Sequence, residues 1–186
     1  MIMPGAFRNC ENLTDFSITQ GNRHFSVKDG VLYDAQKTIL NCYPAGKNAE
    51  TYQVPETVGM IAEYAIFGNQ SLKSLDLANV AKIEHCGIGA NEALGAISGS
   101  DLLYADVSAF QGTKWLTDRA EEEFVALGDA LIFYRGSAAD LDLSDYATIT
   151  NWAFSDNSTL ESVTFGDKTN NIGDFAFAGC ENLKRV

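Results

Sequence analysis

The chain closes on Ile172, then Phe175-Ala-Phe-Ala-Gly-Cys-Glu-Asn-Leu183, and ends at Val186. It opens with nearly the same phrase, Ala6-Phe-Arg-Asn-Cys-Glu-Asn-Leu13. A sequence that spells one phrase near both ends is built from repeats, and the repeat decides the fold before any single element is read. Moving inward, the apolar positions Leu75, Val80, Ile83 and Ile88 recur at identical offsets as Ile97, Leu102, Ala105 and Phe110, a period of 22 residues. Ile149, Phe154 and Leu160 recur as Ile172, Phe177 and Leu183 at a period of 23. The extra residue falls in Gly166-Asp-Lys-Thr-Asn-Asn171, a turn that absorbs it without disturbing a stack. This period is that of leucine-rich repeats, in which each coil contributes a strand to a shared sheet. The expected fold is a mainly β solenoid, one leucine-rich-repeat domain over 1–186.

Two cassettes, about 21–50 and 111–140, interrupt the repeat. In the first, Phe25-Ser-Val-Lys-Asp-Gly-Val-Leu-Tyr33 predicts a β-hairpin, because Asp29-Gly30 suits a two-residue turn that needs positive φ. Thr38 to Tyr43 adds a third strand before Pro44 and Gly46 end it. In the second, Trp115 to Phe124 predicts a short helix with Thr117 or Asp118 as N-cap and acidic early turns. Phe124–Leu127 and Ala130–Tyr134 flank Gly128-Asp129 as another hairpin. Both cassettes end on a tyrosine-terminated strand, Tyr43 and Tyr134, followed by a glycine. Before the first cassette, Phe16 and Ile18 predict a short strand with Asp15 and Ser17 on its outer face.

Val54-Pro, Ile172-Gly173, Ala6-Phe7, Ala153-Phe154, Ala176-Phe177, Cys10 and Cys180 together resemble the BspA-like, or Treponema-type, leucine-rich repeat, whose unit reads roughly LxxVxLPxxVxxIGxxAFxxCxx. Members also interleave segments similar to Asp29-Gly-Val-Leu-Tyr33, Leu40, Tyr43-Pro44 and Gly46-Lys47. Ile66-Phe67 and Gly87-Ile88 depart from Ala-Phe, and Asn69, Ala90 and Asn157 are read as standing for the cysteine. The resemblance covers nearly the whole chain. It implies a right-handed solenoid with a curved parallel sheet, and a bacterial cell-surface or secreted protein used in adhesion and other protein contacts. Structural spacing within a larger surface protein is the alternative.

The net charge of −12 argues against nucleic acid, whose phosphates reward clustered Lys and Arg. The charge is uneven: residues 1–93 carry 7 basic and 10 acidic side chains, and 94–186 carry 6 and 15. No apolar run approaches the roughly 20 residues of a membrane span, and Met1-Ile-Met-Pro4 is too short for a signal peptide's apolar region. Membrane insertion is not expected.

Cys10, Cys42, Cys86 and Cys180 lack CxxC spacing and are read as buried free thiols, with Cys10 and Cys180 too far apart in a solenoid to bridge. His85-Cys86 offers a thiol and an imidazole, yet neighbours on an extended segment point to opposite faces, so no nucleophile pair is expected. Asp140, Asp142 and Asp145 lack the bend glycine and distal glutamate of a calcium loop and are read as a solvent face, as is Glu121-Glu122-Glu123. Asn12-Leu-Thr14 and Asn157-Ser-Thr159 have glycosylation spacing but also suit polar turns. No hydrolase, zinc, phosphate-loop or dinucleotide motif occurs, so neither catalysis nor a cofactor is expected.

A partner would be a protein or a glycan. The outward sheet positions Ser74, Asp76, Ala96, Ser98, Ser162 and Thr164 are small, without the Trp, Tyr and Arg that dominate binding energy. Tyr33, Tyr43, Trp115, Phe133 and Tyr134 in the cassettes are the candidate binding residues. Their rings either form a recognition surface or cover the convex side of the stack. The chain starts and stops within a coil, so it reads as a fragment of a longer array whose open strand edges associate end to end.

Overall fold

The computed structural model describes residues 2–99 and 102–186. Short apolar runs broken by turn residues give short strands. The first cassette forms β1 (Phe25–Lys28), β2 (Val31–Asp34) and β3 (Ile39–Cys42). The coils follow as β4 (Thr51–Gln53), β5 (Met60–Ile61), β6 (Ser74–Asp76), β7 (Lys82–Ile83), β8 (Ala96–Ser98) and β9 (Tyr104–Ala105). Helix α1 (Lys114–Thr117) and the hairpin β10 (Phe124–Leu127) and β11 (Ala130–Tyr134) make the second cassette. The coils then resume as β12 (Asp140–Asp142), β13 (Thr148–Ile149), β14 (Ser162–Thr164) and β15 (Asn171–Ile172).

Each coil contributes two strands, one to each of two parallel ladders. Thr51, Ser74 and Ala96 align in β4, β6 and β8, and Leu40, Ile61, Ile83 and Ala105 align in β3, β5, β7 and β9. The second half repeats this with β12–β14 and β11–β13–β15. A single shared sheet was the expectation. Outside the cassettes, the strands of the second ladder, β5, β7, β9, β13 and β15, have only two residues each, too short to display an alternation in sequence. Its bonding is regular: the Gly59 carbonyl accepts from the N–H groups of Ala81 and Lys82 at 2.9 and 3.0 Å, and Ala81 does the same for Leu103 and Tyr104. Leu72, Leu75, Ile61, Ile83 and Ile88 point between the ladders and are fully buried.

One buried polar column ties successive coils together. Asn91 Nδ2 donates to the carbonyls of Ile66 (2.8 Å) and Ile88 (3.0 Å), and its Oδ1 accepts from the Asn69 N–H (2.8 Å). Asn69 in turn donates to Pro44 and Lys47 and accepts from the N–H groups of Ser71 and Leu72. Thr113, Cys180 and the half-buried Asn157 continue the column, Cys180 donating its S–H to the Phe154 carbonyl at 3.1 Å. Asn91, not Ala90, therefore stands at the cysteine position, and Ala65-Ile66 at the Ala-Phe position: the Ile66, Ile88 and Phe154 N–H groups each bond the next coil's equivalent carbonyl. Asn91→Ala removes these three side-chain bonds inside the core. It is expected to cost about 3 kcal/mol in urea unfolding, at about 1 kcal/mol per bond.

Both hairpins form. Asp29 and Gly30 both take positive φ, 51° and 76°, as a two-residue turn requires, while only Gly128 (57°) does so in the second. The helix is shifted and shorter than expected. Thr113, not Thr117 or Asp118, is the N-cap, accepting from the Leu116 N–H, and Thr117 and Asp118 close the helix. The shift follows from Trp115, whose N–H bonds the Leu94 carbonyl of the preceding coil at 2.7 Å and whose ring is buried. The three glutamates 121–123 lie outside the helix and exposed. The expected strand through Phe16 and Ile18 does not form. Phe16 is tied to the first hairpin by its N–H to the Gly30 carbonyl (2.9 Å), its ring packs edge-on against Phe7, and Ile18 is left exposed.

The core divides in two. One cluster runs from Val31 to Ile132, the other from Leu131 to Cys180. Strand β11 serves both: Ala130 and Ile132 enter the first cluster and Leu131 the second, and past the register shift opposite Val125 and Ala126 the faces exchange, so that Phe133 packs on the first cluster and Tyr134 enters the second. Asn171 Nδ2 adds a bond across the junction to the Leu103 carbonyl at 2.6 Å.

Candidate functional site

The cassette aromatics are interior. Tyr33, Tyr43 and Trp115 are 1–2% exposed, Tyr134 is 7% exposed, and Phe133 is half-buried against the first cluster. Tyr33 and Tyr52 share a hydroxyl bond of 2.6 Å, and the Tyr52 ring packs at 4.7 Å from that of Tyr43. Burial, then the neighbouring Tyr33, pushes the Tyr43 hydroxyl up to about 12. Tyr134 donates to Glu123 and Trp115 lies under the Arg119 guanidinium at 4.6 Å. These rings seal the cassettes onto the coils, and of the five only Phe133 keeps an accessible face. Their amphipathic chemistry is the same in either role, which is why the residue types alone left both open.

The exposed aromatics lie at one corner of the coil. Three residues past the inward position of the second ladder, Ile61, Ile83, Ile149 and Ile172 lead to Tyr64, Cys86, Trp152 and Phe175, each with positive φ (55°, 47°, 62° and 58°). Non-glycine residues pay roughly 1–2 kcal/mol for this conformation; Tyr64 is half-buried and Cys86 buried at it. Trp152 and Phe175 are 39% and 62% exposed and stack at 4.5 Å with an interplanar angle of 15°. Tyr64 carries the Arg8 guanidinium over its ring at 4.8 Å and meets His85 edge-on at 5.5 Å. Sequence reading missed this row because no glycine marks the turn.

The same corner corrects the reading of His85 and Cys86. With φ of 47° at Cys86 the segment is not extended, and the two side chains meet, Cys86 Sγ lying 3.6 Å from His85 Nε2. On the other side of the ring, Nδ1 faces Ser108 Oγ at 2.7 Å and Asp106 Oδ1 at 3.3 Å. Ser108 Oγ also lies 2.5 Å from Asp106 Oδ1 and accepts from the Cys86 N–H at 3.2 Å. Burial pushes the Asp106 carboxyl up, but the bonds from Ser108 and then His85 outweigh it and hold the carboxyl below its usual range.

The remaining candidates lie on the surface. Asp140 and Asp142 stand on the solvent side of β12, Asp140 bonded to Ser162 and near Arg185 Nη2 (3.6 Å), Asp142 accepting the Ser144 N–H. Asn157 is a turn residue whose Oδ1 accepts from the Thr159 and Leu160 N–H groups. The outward faces of the first ladder, Ser74, Asp76, Ala96, Ser98, Ser162 and Thr164, present small side chains. The four cysteines are free; Cys42, Cys86 and Cys180 are buried, whereas Cys10, expected inside, is exposed with the loosely covered first repeat. Among the described residues no helix is long and apolar enough to cross a membrane.

Residues 98–186 match the family model of the BspA type leucine rich repeat region, in six copies. A search of curated proteins gives no match. Among solved structures, the chain is similar to the pneumococcal vaccine antigen PcpA, with 24% identity and a TM-score of 0.51 over 89% of this chain and 36% of that one. It is also similar to a leucine rich cell surface protein from Faecalibacterium prausnitzii A2-165, with 21% identity and a TM-score of 0.55 over 98% of this chain and 44% of the other. The chain therefore spans less than half the length of these structures. Coil geometry and family match together identify the chain as a leucine-rich-repeat solenoid whose residues 98–186 are BspA-type repeats.

Proposed function

We propose that the chain is a non-catalytic module that binds a protein or glycan as part of a bacterial cell-surface or secreted protein. The observation that carries this is the stacked pair Trp152 and Phe175, held outward at left-handed corners where neither ring contributes to the core. Exposed aromatic rings with little rotamer freedom are the side chains on which binding energy concentrates. The family match and the surface protein among the structural relatives support the placement. The acidic second half, with 6 basic and 15 acidic side chains, favours a partner with basic groups and a binding rate that falls with salt.

The test is a screen of the purified chain against host proteins and glycans, followed by the double variant Trp152→Ala/Phe175→Ala on any partner found. With the fold intact by circular dichroism, affinity is expected to fall at least about tenfold, roughly 1.4 kcal/mol. Unchanged affinity would move the contact elsewhere on the solenoid. The small outward side chains of the first ladder favour a second reading, in which the coils set distance and another domain engages the target. That reading is supported if the screen finds no partner.

A further inference from the structure

We propose that Cys86 is a thiol-modification site, a nucleophile served by His85 as base, which exchanges with small-molecule disulfides and carries a mixed disulfide.

Proton bookkeeping around the ring fixes the imidazole. Ser108 has one hydroxyl proton, and its Oγ lies closest to Asp106 Oδ1, a carboxylate oxygen that only accepts. That proton therefore points at Asp106, and Ser108 Oγ faces His85 Nδ1 at 2.7 Å as an acceptor. Nδ1 must carry the hydrogen. In neutral imidazole this leaves Nε2 with its lone pair free, and Nε2 is the nitrogen 3.6 Å from Cys86 Sγ. The thiol, the base and the carboxylate that orients the base thus stand in sequence, the arrangement that activates a cysteine nucleophile. Tyr64 packs edge-on against the ring and holds it in place although His85 is half exposed.

The exchange balances without an added oxidant beyond the disulfide. The Cys86 S–H proton passes to His85 Nε2, and the thiolate attacks one sulfur of the incoming disulfide. A new S–S bond forms as the old one breaks. The departing thiolate leaves with the electron pair and takes the proton back from the imidazolium. Cys86 is 9% exposed, so the incoming disulfide must approach from the side of the half-exposed His85 ring. Burial, then Cys10, pushes the Cys42 thiol up to about 12, and burial raises that of Cys180. Cys10 is exposed and supplies an internal reference within the same chain.

The experiment treats the folded chain with oxidised glutathione at neutral pH and follows each cysteine by peptide mass spectrometry. Cys86 is expected to form its mixed disulfide about tenfold faster than Cys10. His85→Asn should bring the two rates together, and Asp106→Asn should slow Cys86 severalfold while leaving Cys10 unchanged. The circular dichroism spectrum reports folding for each variant. A wild-type Cys86 that reacts no faster than Cys10, or a His85→Asn protein whose Cys86 keeps its rate, would overturn the assignment.

Discussion

Replacing Trp115 by alanine is expected to lower the unfolding free energy by about 4 kcal/mol, the range for emptying a buried indole site. The ring is 2% exposed, packs on Phe110 at 5.0 Å and is covered on its outer side by Arg119. The backbone N–H to the Leu94 carbonyl survives the substitution, so the start of α1 stays tied to the preceding coil and the loss falls on the core beneath the ring. Urea unfolding followed by circular dichroism measures the loss. A change below about 1 kcal/mol accompanied by lost partner binding would return this ring to the recognition surface.

The second large effect concerns adjacent residues on β11. Ile132→Ala and Leu131→Ala each empty a fully buried site and are expected to cost about 3 kcal/mol. They differ in where the cost appears, since Ile132 belongs to the cluster of the first half and Leu131 to that of the second. Native-state hydrogen exchange should therefore lose protection mainly in β5, β7 and β9 for Ile132→Ala, and mainly in β13 and β15 for Leu131→Ala. Equal loss throughout for both variants would show that the two halves open as one unit.

The repeat was legible because its apolar offsets are set by the core, and a core position tolerates few residue types: Ile61, Ile83, Ile149 and Ile172 declare the period themselves. The hairpins were legible because Asp29-Gly30 and Gly128-Asp129 carry turn chemistry. The buried column was readable in part, Asn69 and Asn91 being one period apart, though a slip of one residue placed Ala90 where Asn91 belongs. The helix start was not readable, because it depends on a bond from Trp115 to a carbonyl in the previous coil. The candidate site was least visible. Cys86 and Trp152 take positive φ without glycine, so the assumption of extended backbone separated His85 from Cys86 and gave no reason to single out Trp152.

That corner also separates two demands that most positions of a repeat must meet together. Tyr64 and Cys86 follow one another at it in the first half and Trp152 and Phe175 in the second, a phenol and a thiol, then an indole and a phenyl ring, while Ala65, Ala153 and Ala176 beside them stay buried and alike. The stack keeps its register whichever of these groups is mounted. A coil of this kind works as a letter-holder, in which surface chemistry can be respelled one residue at a time along the solenoid and the spacing between letters is set by the strand separation of about 4.8 Å.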